Sequence, residues 1–294
     1  VYKRQSPYVN GVNTKLDPDA YYGLDSDFNK GTAYYGMLTH THRFSKDTEL
    51  VTKVRYAEYT RDQRATLWNT PATSQPGGKE VTLDSWNNAT VITRGFQPKK
   101  QDMQTVTAQS DLSTRFNALG FEHTLQAGVD FAHEKKQVFA QVSAAQGGIV
   151  PARPTPTVGP PYDGASIDES LRSYRDNNAY TSKAYGGYLQ DMIQLAPAWK
   201  LLAGLRYDNL KGDYEQYTVP NNALTPVTTT GYQMKVSEVS KSAAVLFQPN
   251  AQWSFHLMGA TSFNTSGDAY SLSASNQSIP PEESVNVELG AKWD

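Results

Sequence analysis

Six residues in two long polar stretches could hold an anion. Trp68, Trp86 and Arg94 fall between 62 and 100, and Tyr162, Tyr174 and Arg175 fall between 139 and 179. Rings beside guanidinium groups offer stacking, cation–π attraction and charge-assisted hydrogen bonds. Each could equally anchor or solvate its own loop. Two further clusters raise metal chemistry. His40 and His42 stand at i and i+2 on one strand face but lack a third ligand, and they read as polar side chains on a wet face. Asp17, Asp19, Asp25 and Asp27 lack the Gly and terminal Glu of a calcium loop and read as a solvated loop. No hydrolase, phosphate-loop or zinc-protease motif occurs. The expectation is a protein without catalytic residues, metal or cofactor.

The segments that must position these loops alternate with period 2. Phe121, His123, Leu125, Ala127, Val129 and Phe131 form one row, while Glu122, Thr124, Gln126, Gly128 and Asp130 form the other. Extended side chains point to opposite faces in turn, so the segment is apolar on one side and polar on the other. Leu50, Val54 and Tyr56 oppose Glu49, Lys53, Arg55 and Arg61. Val285, Val287, Leu289, Ala291 and Trp293 oppose Asn286, Glu288, Lys292 and Asp294.

This pattern predicts nine strands at 31–45, 48–61, 101–116, 121–138, 180–195, 199–217, 232–248, 252–264 and 284–294. Their connections alternate in length. The short ones are 45–47, 117–120, 196–198 and 249–251, and the long ones are 62–100, 139–179, 218–231 and 265–283. A meander with tight turns at one end and elaborate loops at the other is the signature of a transmembrane β-barrel. Pro151, Pro154, Pro156, Pro160 and Pro161 keep that stretch out of any central strand. Phe44, Phe116, Phe121, Trp199, Phe247 and Trp253 all lie near a short turn, as an interfacial girdle would.

Composition agrees. The mean hydropathy is −0.59, and no apolar run reaches the length of a transmembrane helix. Barrel strands expose only alternate residues to lipid, so they look soluble on average. The net charge is −2, without a basic stripe, which argues against nucleic acid as a partner. There is no cysteine, and there are 18 tyrosines, a residue suited to a membrane interface or ligand mouth. The chain starts at Val1 without a signal peptide and reads as an internal fragment. Residues 1–30 read as an extracellular-loop segment or, for Val1 to Gln5, a non-native start, and residues 31–294 as a partial barrel.

Two stretches resemble signatures of TonB-dependent siderophore receptors. One is Pro280-Pro281-Glu282-Glu283 leading into Glu288-Leu289-Gly290-Ala291-Lys292. The other is Tyr188-Leu189-Gln190-Asp191 followed by Gly204-Leu205-Arg206-Tyr207-Asp208. Weaker matches are Tyr22-Gly23-Leu24 with Asp27, and His123 to Gly128. The resemblance implies an all-β, antiparallel outer-membrane barrel of about 22 strands closed by a plug, of which this chain supplies about nine. Plug, TonB box and the aromatic C-terminal strand are not visible.

The resemblance further implies import of ferric siderophores energised by the TonB complex, in the outer membrane of a Gram-negative bacterium and among its lipid and lipopolysaccharide. The anion held by the six loop residues would then be a ferric catecholate or hydroxamate. Asp191, Arg206 and Asp208 would be structural charges on the lumen side. The alternatives are a TonB-dependent importer of cobalamin, haem or saccharide, and a secreted β-sheet adhesin or carbohydrate-binding protein.

Overall fold

The computed structural model describes residues 8–9, 12–13, 16, 19–221, 228–265 and 269–293. Val1 to Gln5 and Asp17, singled out in the sequence, lie outside them. A short ladder joins β1 (Tyr8–Val9) to β2 (Val12–Asn13). Nine long strands follow: β3 (Phe28–Arg43), β4 (Thr48–Asn69), β5 (Thr93–Ala118), β6 (Phe121–Gln141), β7 (Tyr174–Ala196), β8 (Trp199–Thr218), β9 (Thr228–Phe247), β10 (Trp253–Asn264) and β11 (Glu282–Trp293). They form one antiparallel sheet in strict chain order from β3 to β11. Every described helix is a single 3-10 turn of three residues in a loop.

All nine predicted strands are present, and several run further than expected. β4 and β5 extend eight residues each into the predicted 62–100 loop, as a continuous ladder from Arg61↔Gln101 to Asn69↔Thr93. Pro98 does not break β5. It pairs with Arg64 of β4, but β6 pairing begins only at Lys100, so the missing N–H falls where one side of the strand is free. β7 gains Tyr174 to Ala179 through an irregularity between Val138 and Phe139 on its partner.

The tight turns fix register. Between β5 and β6 the loop shrinks to Leu119 (φ 54°) and Gly120 (φ 85°). Two successive left-handed residues match the twist of the strands they join. At the β9–β10 turn the Asn250 carboxamide oxygen accepts from the N–H groups of Gln252 and Trp253, each at 3.0 Å.

Cross-strand partners share a face, so the register sorts every side chain. One row runs Lys53, Gln109, Asp130, Gly186, Asp208, Glu238 across six strands. The adjoining row on the other face runs Thr52, Ser110, Val129, Gly187, Tyr207, Val239. Leu125, Val129, Leu257, Val285 and Leu289 share the second face, while Glu122, Asp130, Lys53 and Glu288 share the first. The apolar face is the splayed one: Val129, Leu205 and Leu257 are all more than half exposed. The polar face is crowded, with Tyr180, Tyr214, Met234 and Val236 buried against Leu272. The apolar face is therefore the outer one and the polar face the inner wall.

The turn-flanking rings all lie outside, and those from β8 to β11 touch in series. Trp199 stacks on Phe247 at 4.5 Å, Phe247 on Phe255 at 6.3 Å, Phe255 on Trp253 at 5.7 Å, and Trp253 on Trp293 at 5.9 Å. Phe116 stacks on His123 at 5.1 Å, and Phe44 meets His42 edge-on at 4.5 Å. This is the expected girdle.

Two placements correct the sequence reading. Asp191 is not on the inner wall. It pairs with Leu125, which puts it outside, where it accepts from His123 at 2.6 Å within the girdle. His40 and His42 also face outward, opposite Thr52 and Leu50, not toward a wet lumen. Both sites lie near the short-turn rim, where polar atoms meet the interface rather than the hydrocarbon. Arg206 and Asp208 are on the inner wall as expected. Arg206 donates to both oxygens of Asp130 (2.9 and 3.1 Å) and to Asp208 (2.6 Å). The guanidinium lies against Gly186, where a Cβ would collide with it and with the Asp130 carboxylate.

The face assignment predicts opposite outcomes for one substitution at matched depth. In the full-length protein folded into lipid, Leu205→Arg should lower stability by about 2–4 kcal/mol, whereas inner-wall Gln126→Arg should stay within ~0.5 kcal/mol. Urea titration of refolding into vesicles reads both, and equal losses would reverse the faces.

Candidate functional site

The long extensions of β4 and β5 create a rim on which three loop segments converge. Chain 19–27 approaches β3, the β4–β5 loop contributes 86–92, and the proline-rich stretch after β6 crosses both. Pro156 accepts from Ile92 N–H at 2.8 Å, and Val158 and Gly159 donate back to Thr90 and Asn88 at 2.9 and 2.8 Å. Proline cannot sit in a central ladder, but here the carbonyl of one proline and the N–H groups beyond it are enough to pin the segment. Tyr22, Ile92 and Val158 form a buried cluster walled by Trp68 and Trp86. Trp68 meets Tyr22 edge-on at 5.4 Å, and the Tyr22 hydroxyl donates to Val158 O at 2.9 Å.

Arg94 ties the three segments together. Its Nε donates to Tyr22 O at 2.7 Å, and Nη1 and Nη2 grip the two Asp163 oxygens at 3.0 and 2.7 Å. Its side chain is 1% exposed, against 25% for Asp163. The bidentate hydrogen bonds from Arg94 hold the Asp163 carboxyl below the usual carboxylate range. Next to Asp163, the Tyr162 hydroxyl donates to Asp25 at 2.7 Å and leaves its ring more than half exposed. Asp27 accepts from the N–H and hydroxyl of Thr66 at 2.9 and 3.0 Å. Burial, then Asp27, pushes the Tyr21 hydroxyl up to about 12. Asp25 and Asp27 are thus engaged as loop fasteners.

A second knot lies alongside. Glu169 accepts from Arg172 at 2.7 Å and Arg153 at 3.4 Å, with Arg64 at 3.7 Å. The guanidinium groups of Arg153 and Arg172 lie over the Phe96 ring at 4.8 and 4.0 Å. Tyr174 lies beneath Arg64 at 4.4 Å and Lys100 at 5.1 Å.

Of the six residues singled out in the sequence, the structure brings Trp68, Trp86, Arg94 and Tyr162 into one assembly. Tyr174 belongs to the neighbouring knot. Arg175 lies on β7, where it donates to the carbonyl of its neighbour Asp176 at 3.1 Å. Sequence reasoning missed Arg64, Phe96, Arg153, Glu169 and Arg172. The signal was available for the first: the alternation of β4 continues through Arg64, Thr66 and Trp68, all on the side of Leu50. Arg153, Glu169 and Arg172 meet only through tertiary folding of an irregular loop, which no local period encodes.

The chain is 25% identical to the probable TonB-dependent siderophore receptor PiuA of Acinetobacter baumannii, over 97% of its length. It is 21% identical to the catecholate siderophore receptor Fiu of Escherichia coli strain K12, over 95% of this chain. The chain spans 39% and 38% of the length of these relatives. The crystal structure of PiuA superposes with a TM-score of 0.74 at 21% identity, covering 96% of this chain and 40% of that one. The closed form of Fiu superposes with a TM-score of 0.76 at 18% identity, covering 95% and 40%. A secreted soluble sheet is inconsistent with these matches and with the outward girdle. The model of the TonB dependent receptor-like β-barrel matches residues 2–294, and the chain belongs to that family of outer-membrane barrels.

Proposed function

We propose that the protein of which this chain forms barrel wall is an outer-membrane receptor that imports ferric siderophores, energised through the TonB complex, and that it is not an enzyme. What supports this reading most is the pairing of a two-faced barrel wall with relatives over nearly the whole chain that are named siderophore receptors. The inner wall is polar and charged, as a path for a hydrophilic chelate requires, and the rim concentrates rings and guanidinium groups. In this reading the exposed ring of Tyr162 and the accessible edge of Trp86 meet the ligand by stacking. Arg94, Trp68 and Tyr174 hold the rim assembly that presents them, and Arg175 adds positive charge beside it.

Transport by the full-length protein in a strain lacking its other siderophore receptors tests the function. Saturable, TonB-dependent uptake of a ferric catecholate or hydroxamate is expected. Uptake confined to cobalamin, haem or saccharide, or indifference to TonB, would sink the proposal. Tyr162→Ala and Trp86→Ala should each weaken ferric-chelate binding roughly 3- to 10-fold, read by fluorescence quenching on the purified receptor.

The Arg94–Asp163 clamp makes a separate prediction. Because the folded Asp163 titrates below its unfolded value, its contribution is present above the ordinary carboxylate range and is lost as pH falls through the lowered value. Asp163→Asn imitates that loss at neutral pH and leaves Arg94 buried without its anion, a change that typically costs about 3–5 kcal/mol. Limited proteolysis of the full-length variant should open residues 151–167 while heat-modifiable gel mobility of the barrel stays unchanged. Unaltered protection of that loop would show that the clamp is dispensable.

A further inference from the structure

The apolar cluster on the inner wall has one member that belongs to no strand. Tyr180, Tyr214, Met234 and Val236 stand on β7, β8 and β9, but Leu272 comes from the segment between β10 and β11. That segment lies inside, against the wall, with Leu272 only 3% exposed. Strand length allows this. β8 and β9 run 20 residues each, β10 and β11 only 12. The ladder between β9 and β10 stops at Ala260↔Ser242, so the chain leaves β10 below the top of its neighbours. Above that point the Gln233 N–H of β9 donates to Gln277 Oε1 at 3.2 Å. Tyr214 is fifteen residues beyond Trp199 of the girdle. At ~3.3 Å per residue and a tilt of ~35–45° that is a climb of about 35–40 Å, past an apolar band about 25 Å tall. The segment therefore narrows the mouth of the barrel on the long-loop side.

Side chains supply its grip on the wall. Tyr270 meets Tyr180 edge-on at 5.0 Å and lies beneath the Lys136 ammonium at 3.7 Å. The segment's own backbone bonds close on itself. Asn276 and Gln277 N–H donate to Ser273 O at 3.3 and 3.1 Å, and Ile279 N–H to Asn276 O at 3.3 Å. The Asn276 side chain accepts from Ser273 N–H at 2.6 Å and donates to Ser271 O at 3.1 Å. Such a unit can leave the wall with its own turns intact.

Lys136 has a second partner within reach. Glu134 is two residues away on the same face of β6, opposite Ser182 as Lys136 is opposite Tyr180. Its Oε1 is buried without a hydrogen-bond partner, a costly state for a carboxylate oxygen. Residues i and i+2 of a strand are about 7 Å apart, a gap that a lysine stem spans. While Tyr270 holds the ammonium, Glu134 is left without it. Once Tyr270 departs, the ammonium is free to pair with Glu134. The wall thus has two discrete arrangements, each satisfying Lys136.

We propose that residues 269–279 form a displaceable strap inside the mouth, docked at rest by Tyr270 and Leu272 and released when Lys136 exchanges Tyr270 for Glu134. The docked strap is the state of the empty receptor, so it opens before a solute passes rather than closing over one already bound. Its link to transport rests on the import reading above, whereas its release does not.

The full-length receptor carrying Val236→Cys, in intact cells and without ligand, tests the release. A membrane-impermeant maleimide reaches that thiol when the strap is off the wall. In this background Tyr270→Leu, which removes the docked ring, should speed labelling roughly 3- to 10-fold, and Glu134→Gln, which removes the alternative partner, should slow it roughly 3- to 10-fold. Heat-modifiable gel mobility shows that each variant is folded. Labelling that ignores both substitutions, or moves the same way in both, would overturn the proposal. Transport is read separately, with Met234→Cys and Leu272→Cys joined by a short reducible bridge. The bridged receptor should still bind a ferric catecholate but import it roughly 10-fold more slowly or worse, and reduction should restore uptake. Full uptake through the bridged receptor would also overturn the proposal. Absence of ferric catecholate uptake by the wild-type receptor would count against the import reading instead, and the labelling rates would still decide the strap.

Discussion

Everything in this sheet follows from the cost of an unpaired backbone group in hydrocarbon. Each unsatisfied N–H or C=O there costs several kcal/mol, so a lipid-facing segment must pair along its whole length. That requirement turns the chain into a meander with continuous ladders, and it ties side-chain alternation to two different solvents. Once Leu125 faces lipid, Gln126 must face water, and the ladder passes that choice to every neighbour. The register from Lys53 to Glu238 is one row repeated across six strands. β3 and β11 carry the same rule to its limit. Among the described residues neither has a neighbour on its far side, and both are exposed along their length. Such edges persist only when another strand completes them.

The middle of each strand was legible because period 2 is a local signal, read with no knowledge of the partner. The girdle was legible for a similar reason, since turn position fixes ring position. His40 and His42 read as wet-face residues from their polarity, and Asp191 as a lumen-side charge from its family motif, yet parity against Leu50 and Leu125 places all three outside. Near a rim the outer face is already interfacial, and polarity there carries no information about sidedness. His123 and Asp191 satisfy each other at 2.6 Å, and Phe116 covers the imidazole.

Strand ends were misjudged for another reason. Beyond the membrane both faces of β4 and β5 meet protein or water, so the hydrophobic contrast fades although the ladder continues to Asn69↔Thr93. The rim assembly was half visible. Its residue types stood out, but their partners did not: Arg94 finds Asp163 across 69 residues, and Tyr22 finds Val158 across 136. Contacts of that separation are chosen by shape and charge after the strands form. The sequence therefore marks Arg94 as chemically capable without revealing that its nitrogens are occupied in holding three loop segments together.

The close approach of Arg206 to Gly186 has a consequence for anything that moves along the inner wall. Arg206 is held between Asp130 and Asp208 at contact distance within the wall itself, which leaves the trio one net negative charge, and the missing side chain at Gly186 leaves the room that the guanidinium and the Asp130 carboxylate occupy. A solute or a sliding protein surface passing this level meets a guanidinium already covered by two carboxylates, with one negative charge left over, instead of a free cation. Sites that bind too tightly stall conduction. By pairing its charges sideways, this part of the wall stays wet while presenting little friction and no deep trap.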